Sequence, residues 1–177
     1  MLPDRKVLAA AYDRSADTYD ARFRELQTPK YLAALPFLPV VAEGALCLDA
    51  GAGTGLFLEF LREQNHPLAL ARWVLLDLSV GMLRRARSRS DMTVAADFSH
   101  PPLRVSSVAL VVAFTSFLDD VQRTVREMQL LLVPGGLLVA SILAPEAKAS
   151  LAEVVSMRHM AGPVPAGQDR LFVFRKV

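Results

Sequence analysis

Three aspartates and a glycine-rich loop are the residues best placed to do chemistry. Asp49-Ala50-Gly51-Ala52-Gly53-Thr54-Gly55 follows an apolar run. Glycines at alternate positions let the backbone turn sharply and come close to a ligand. A helix starting there would point N–H groups at the same ligand. Asp77 closes a second apolar run, 26 residues after Gly51. A carboxylate there accepts hydrogen bonds from two ribose hydroxyls. Asp97 closes a third run and is followed by Phe98. It would accept from an exocyclic adenine amine, with the Phe98 ring against the purine. Taken singly, each acid would serve equally as a helix N-cap or a solvated loop residue. Three successive strands ending in Asp argue for a nucleoside ligand. Asp49 either holds the loop or faces the amino group of a bound amino acid.

The spacing narrows the ligand. A dinucleotide fingerprint has glycines at its first, third and sixth positions. Here the sixth position is Leu56 and Gly55 is the fifth, which disfavours a nicotinamide cofactor. No Gly-Lys-Ser/Thr sequence occurs, so a P-loop is excluded. Cys47, between Leu46 and Leu48, packs as a small hydrophobe. His66, His100 and His159 are expected on solvated loops, and no metal site is expected.

These residues need strands and helices to position them. Asp4 to about Leu35 has helical spacing and ends at Pro36 and Pro39. Ala45 to Ala50, Arg72 to Leu78, Met92 to Asp97 and Val108 to Phe114 are apolar runs of strand length. Leu56 to Arg62 is helical. Ser79 is placed to cap a helix over Val80 to Arg89. Asp119 or Asp120 caps a helix through Leu132 that stops at Pro134, and Gly136 to Ile142 is a fifth strand. A helix is expected from Pro145 to about Met160, then a loop holding Gly162, Pro163, Pro165 and Gly167, then a last strand over Arg170 to Arg175. Alternating strands and helices mean an α/β, Rossmann-like, doubly wound, mostly parallel sheet with helices on both faces. Its C-terminal end is expected to be shortened, with one strand missing. The expected organisation is one domain: a helical cap over residues 1–40, a core over 41–143 and a short tail over 144–177.

The totals exclude several classes. The chain has 177 residues, 53% hydrophobic and 21% charged, with a net charge of +2. That balance suits a sheet buried on both faces and gives no nucleic-acid footprint. Arg84, Arg85, Arg87 and Arg89 read as the solvated face of a helix. The N-terminus lacks the apolar stretch of a signal peptide, and no uninterrupted run of about 20 apolar residues spans a membrane. A cytoplasmic protein is expected. A mean hydropathy of +0.31 and the short tail suggest apolar surface that a second copy would cover, so a homodimer is expected.

The combined pattern resembles the class I S-adenosylmethionine-dependent methyltransferases, in the subgroup acting on quinone precursors, lipids and natural products. Leu48 to Gly55 resembles the family's first motif, and Asp77-Leu78-Ser79-Val80-Gly81-Met82-Leu83 its second-strand signature. Ala96-Asp97-Phe98 resembles its adenine-contacting motif. Arg126-Glu127-Met128 with Leu131 to Gly136 resembles the helix and turn before the fifth strand. Tyr12-Asp13 and Tyr19-Asp20 resemble an N-terminal helix that covers the cofactor. The resemblance implies S-adenosylmethionine as cofactor, with S-adenosylhomocysteine as product. It implies that Gly51, Ala52, Gly53 and Gly55 line the methionine portion and Asp77 holds the ribose. Leu78 and Met82 would pack near the adenine, whose amine Asp97 would hold beside Phe98. Ala113 and Phe114 would border the sulfonium, with Tyr19 and Asp49 completing the cofactor set.

The chain departs from that pattern in three places. Val108-Ala109 stands where the subgroup has Phe-Asp. Thr115 to Asp120 holds no His, which removes the obvious general base and leaves Tyr19, His100 and Asp119 as catalytic candidates. The tail is short. The implied activity is methyl transfer to a small-molecule acceptor by displacement at the sulfonium methyl. The alternative is a non-catalytic binding or scaffold protein on the same fold. An apolar pocket beside Phe114 and Phe117 favours catalysis; a closed or fully exposed surface there favours the scaffold.

Overall fold

A computed structural model describes residues 5–90, 92–114, 121–143 and 157–177. Helix α1 (Arg5–Ala34) leads through a short turn into β1 (Leu46–Ala50). There follow α2 (Leu56–Glu63), β2 (Arg72–Asp77), α3 (Val80–Ala86), β3 (Thr93–Ala95) and β4 (Val108–Phe114). The chain continues with α4 (Val121–Leu131), β5 (Leu132–Leu143), β6 (Met157–Ala166) and β7 (Asp169–Lys176).

Among the described residues the strands form one sheet in the order β3-β2-β1-β4-β5-β7-β6. The pairs β1–β2, β1–β4, β2–β3 and β4–β5 are parallel. β7 runs antiparallel to both β5 and β6. Successive strand residues point to opposite faces, so one core forms on each side. Cys47, Leu75, Leu110 and Val112 pack with α2, α3 and the end of α1. Leu48, Val74, Val111 and Leu138 pack with Val125 and Met128 of α4. That is why β1, β2 and β4 are continuously apolar: neither face is solvated.

The C-terminal part differs from expectation. The strand expected to be missing is present as β6. Met157–Met160, expected at a helix end, and Gly162 to Ala166, expected in a loop, lie in that strand. β6 is the outer strand, where prolines cost little because one side needs no ladder hydrogen bonds. Its register slips between His159 and Ala161 and again between Ala161 and Val164. β5 also begins earlier than Gly136. Its pairing with β4 runs Val108–Leu132 and then Leu110–Leu137, so Val133 to Gly136 bulge out. Gly135 has φ +77°, and a Cβ on Gly136 would sit 2.9 Å from the Val133 carbonyl oxygen. Pro134-Gly135-Gly136 therefore makes a bulge inside a strand rather than its start. The Asp119 or Asp120 cap, and most of the helix expected from Pro145, lie outside the described residues.

Candidate functional site

The strand order reverses between β1 and β4, and α/β sheets bind ligands beyond strand ends at such a point. The glycine loop sits there. Gly51, Gly53 and Gly55 all have positive φ, at 77°, 55° and 82°, a conformation side chains rarely tolerate. The Gly51 and Ala52 amides donate to the Leu76 carbonyl at 2.8 and 3.0 Å. The Gly53 amide donates to Asp77 Oδ2 at 2.8 Å. Gly55 is needed for packing rather than ligand approach: a Cβ there would lie 3.0 Å from Leu75 and 3.3 Å from Arg89.

Asp77 is fixed by two backbone donors, Gly53 to Oδ2 and Ser79 to Oδ1, the second also at 2.8 Å. Burial raises its pKa, and these amides pull it back down. A carboxylate oxygen has two acceptor positions, so each oxygen keeps one for a further donor. Asp49 lies behind the loop, 3% exposed. Burial, and then the charge of Asp77, push its pKa up to about 8.

Helix α1 crosses the mouth of this loop and is tied to it at several points. Asp13 accepts from the Ser79 hydroxyl at 2.6 Å and the Gly81 amide at 2.7 Å, which lowers its pKa. A Cβ on Gly81 would sit 2.9 Å from the Asp13 Cα. Ser79 also caps α3, accepting from the Met82 amide at 3.1 Å. Asp20 accepts from Thr54 Oγ1 at 2.5 Å and from Arg89 at 2.7 Å. Arg89 also donates to the Thr54 carbonyl at 2.7 Å and pairs with Glu59. Arg84, Arg85 and Arg87 are exposed as expected. Arg89 is not: its side chain is 14% exposed, clamping α1, α2 and the glycine loop together.

Between α1 and the strand ends lies a pocket of about 210 Å³. Gly51, Gly53, Asp77, Leu78, Met82 and Phe98 line one end. Lys30, Leu143 and Gln168 line the other, with Tyr12, Tyr19, Gln27 and Phe114 also on its walls. Phe114 is held by Tyr31 and Phe57, at ring-centroid distances of 5.0 and 4.9 Å. A smaller cleft of about 30 Å³ opens among Tyr19, Gln27, Asp49, Ala52 and Phe114. The structure thus gathers Tyr19, Asp49, Gly51, Ala52, Gly53, Asp77, Leu78, Met82, Phe98 and Phe114 around two adjoining spaces. Gly55, Ala113 and Asp97 line neither. Asp97 instead accepts from the Ser99 amide at 2.8 Å and the Ser99 hydroxyl at 2.7 Å, and pairs with Arg5.

The catalytic candidates fare less well. His100 is exposed and contacts Arg123 and Ser99 rather than the pocket. Tyr19 lines the pocket, but burial first and Tyr12 second raise its pKa to about 12, so it holds its proton at neutral pH. Asp119 lies outside the described residues. Burial raises the Cys47 thiol to about 12, in keeping with a packing role. No group of three or more metal-ligating residues occurs among the described residues. Among them, no helix is long and apolar enough to cross a membrane.

The contributions of α1 and β7 are not marked in the sequence. Lys30, 2% exposed, sits 3.3 Å from Asp169 Oδ2, and Ser141 donates to the same oxygen at 2.7 Å. Gln27 is 8% exposed. Buried polar residues on a largely polar helix leave no sequence signal; Asp169 is buried only because β7 pairs with β5.

Comparison with known proteins agrees with this geometry. The sequence model of the methyltransferase domain family matches residues 48–140, just over half of the chain. The chain is 30% identical over 154 residues to malonyl-[acyl-carrier protein] O-methyltransferase of Pectobacterium atrosepticum, covering 85% of this chain and 58% of that protein. It is 32% identical over 146 residues to the Yersinia pestis protein of the same name, covering 80% and 52%. The chain therefore spans little more than half the length of these relatives. In fold it is similar to the Haloferax volcanii methyltransferase solved with the Trm112 activator, with a TM-score of 0.76, 20% identity and 93% and 97% of the two chains covered. It is also similar to geranyl diphosphate C-methyltransferase from Streptomyces coelicolor A3(2), with a TM-score of 0.68, 12% identity and 89% and 82% covered. The glycine loop, the acid closing β2 and the matched stretch coincide on one end of one sheet, and the chain belongs to the class I S-adenosylmethionine-dependent methyltransferase family.

Proposed function

We propose that this chain binds S-adenosylmethionine and methylates a small carboxylic acid. The observation that carries the reading is one pocket reaching from Asp77 and Gly53 to Leu143 and Gln168. The first end suits a nucleoside. Asp77 keeps one acceptor position on each oxygen, matched to vicinal ribose hydroxyls, while Leu78, Met82 and Phe98 offer apolar surface to a purine. Gly51, Gly53 and Asp49 would border the methionine portion. The cofactor supplies an electrophilic methyl group on sulfonium for direct displacement by an acceptor atom. Towards the other end Phe23, Leu26, Phe114 and Leu143 present apolar walls to an acceptor. Walls of that kind favour catalysis over a scaffold role.

The described lining residues and the named relatives together favour one acceptor class. No His is among its described lining residues, and Tyr19 holds its proton. A phenol or alcohol acceptor needs a base within reach. A carboxylic acid, with a pKa of about 4, is already ionised at neutral pH. Correct placement then does most of the work. The curated relatives are by name O-methyltransferases of malonyl-[acyl-carrier protein], which supports a carboxylate acceptor.

Titration with S-adenosylhomocysteine, with NAD as control, tests the cofactor. Micromolar binding without a NAD response is expected. Ligand at about 100 times its dissociation constant should also stabilise the fold by about 2.7 kcal/mol. No binding at millimolar ligand would overturn the reading. Mass spectrometry of small carboxylic acids and phenols incubated with enzyme and cofactor tests the acceptor. Methyl esters, without methylated phenols, are expected.

A further inference from the structure

We infer that Gln27 is a specificity residue of α1, whose side-chain oxygen, with Asp49, reads the ammonium group of the cofactor's amino-acid half. The inference rests on the cofactor reading above and adds a ligand contact from outside the strand-end motifs.

Gln27 sits in the last third of α1, 8% exposed. Its side chain lies close to Tyr19, and its Oε1 is buried with no hydrogen-bond partner among the described residues. A buried acceptor left without a donor is costly and rare in folded proteins. It invites a donor from outside the chain. Gln27 lines both the main pocket and the cleft of about 30 Å³ beside Asp49. That cleft has room for one water-sized group, which is also the size of an ammonium.

Charge decides what kind of group that is. Asp49 borders the cleft, and its carboxyl is raised to about 8 by burial first and by Asp77 second. An anion would meet the Asp77 charge near by and hold Asp49 in its neutral form, whereas a cation would favour the ionised Asp49 carboxylate, so the cleft suits a cation. An ammonium offers three N–H donors, enough for Gln27 Oε1 and Asp49 together. A Gln amide turned the other way would leave its nitrogen without an acceptor and would suit the cofactor's carboxylate instead. The acids beside it argue against that orientation. The glycine loop then holds the cofactor from below, while Gln27 reads it from the helix above.

The test compares Gln27→Met, which keeps the length and loses the acceptor, with the unaltered chain. Three probes are titrated by calorimetry: S-adenosylhomocysteine, its deaminated analogue with hydrogen in place of the amino group, and 5′-methylthioadenosine, which lacks the amino-acid half. Gln27→Met is expected to weaken S-adenosylhomocysteine about tenfold or more, the usual cost of losing a hydrogen bond to a charged group. The other two probes are expected to change less than about twofold, within the coupling error of independent sites. The melting temperature of the ligand-free variant is expected to hold or rise, because an unsatisfied acceptor is gone.

Equal weakening of all three probes with a lower melting temperature would overturn the inference in favour of a packing role. Equal weakening of S-adenosylhomocysteine and its deaminated analogue, with methylthioadenosine unchanged, would assign Gln27 to the carboxylate and overturn the ammonium reading. An unchanged affinity for all three would remove Gln27 from the site while leaving the cofactor reading intact. If the unaltered chain binds none of the probes, the cofactor reading itself fails.

Discussion

The two ends of the pocket are held in different ways. At the β1–β2 end, backbone amides fix the key carboxylate: Gly53 and Ser79 each donate to Asp77 at 2.8 Å. At the β5–β7 end, side chains do so, with Lys30 and Ser141 converging on Asp169. The first arrangement uses neighbours in sequence and leaves acceptor capacity facing the pocket. The second joins residues from opposite ends of the chain and locks α1 onto the sheet. One end is built to receive a ligand, and the other to hold the helix that covers it.

The largest effect should come from Asp77→Ala. It removes the proposed ribose acceptor and leaves the Gly53 and Ser79 amides without their partner. A loss of about 100-fold or more in S-adenosylhomocysteine affinity is expected, from two hydrogen bonds to a charged group. Calorimetry measures it. A change below about threefold would mean the β1–β2 end is not the nucleoside site.

Lys30→Met tests the other end. Removing one partner of a buried ion pair leaves the other charge uncompensated, which costs about 3–5 kcal/mol. Urea unfolding should show a loss of that order, with a smaller effect on S-adenosylhomocysteine affinity. A variant of unchanged stability would break the division between receiving and holding ends.

The same division explains what could be read from the sequence. The glycine loop, Asp77, the Ser79 cap and the strands β1, β2 and β4 are written in short contiguous stretches. Local rules for turns, caps and apolar runs suffice to find them. The β6 stretch reads as helix and loop in the sequence because Gly162, Pro163, Pro165 and Gly167 punctuate it; only its place at the sheet edge makes them tolerable. Arg89 looks in sequence like Arg84, Arg85 and Arg87, and nothing local marks it as the one that turns inward. Gln27, Lys30 and Asp169 have no signal at all before α1 is docked. Long-range pairing fixed these positions, and one sequence carries no trace of it.

Gly81→Ala probes the docking of α1 itself. The added Cβ would sit 2.9 Å from the Asp13 Cα and from its Oδ1. Backbone cannot yield as a flexible side-chain tip does, so α1 must shift off α3. Overpacking of this kind costs about 1–3 kcal/mol. A lower melting temperature and weaker cofactor binding are expected together, because Asp13 ties the covering helix to Ser79 at the end of β2. An unchanged protein would mean α1 is not fixed at this point.

Asp49→Asn should give the smallest effect at low pH and one that grows with pH. Burial and Asp77 raise the folded-state pKa of Asp49 from 3.8 to about 8. The folded chain then holds a proton that the unfolded chain has released, so stability falls as pH rises between those two values. Below about pH 4 both states are protonated and the group contributes nothing. Asn cannot ionise and escapes the penalty. The ligand-free variant should match the unaltered chain near pH 4 and exceed it in melting temperature by a growing margin up to about pH 8. Cofactor affinity should move the other way. An ammonium beside Asp49 favours the ionised carboxylate, so binding to the unaltered chain strengthens as pH rises towards 8, and Asp49→Asn flattens that dependence. Parallel melting curves at every pH would show that Asp49 is not the buried neutral acid the loop encloses. A flat stability difference combined with a steep binding profile would transfer the titration to Asp77, which faces the pocket and is held by amides instead.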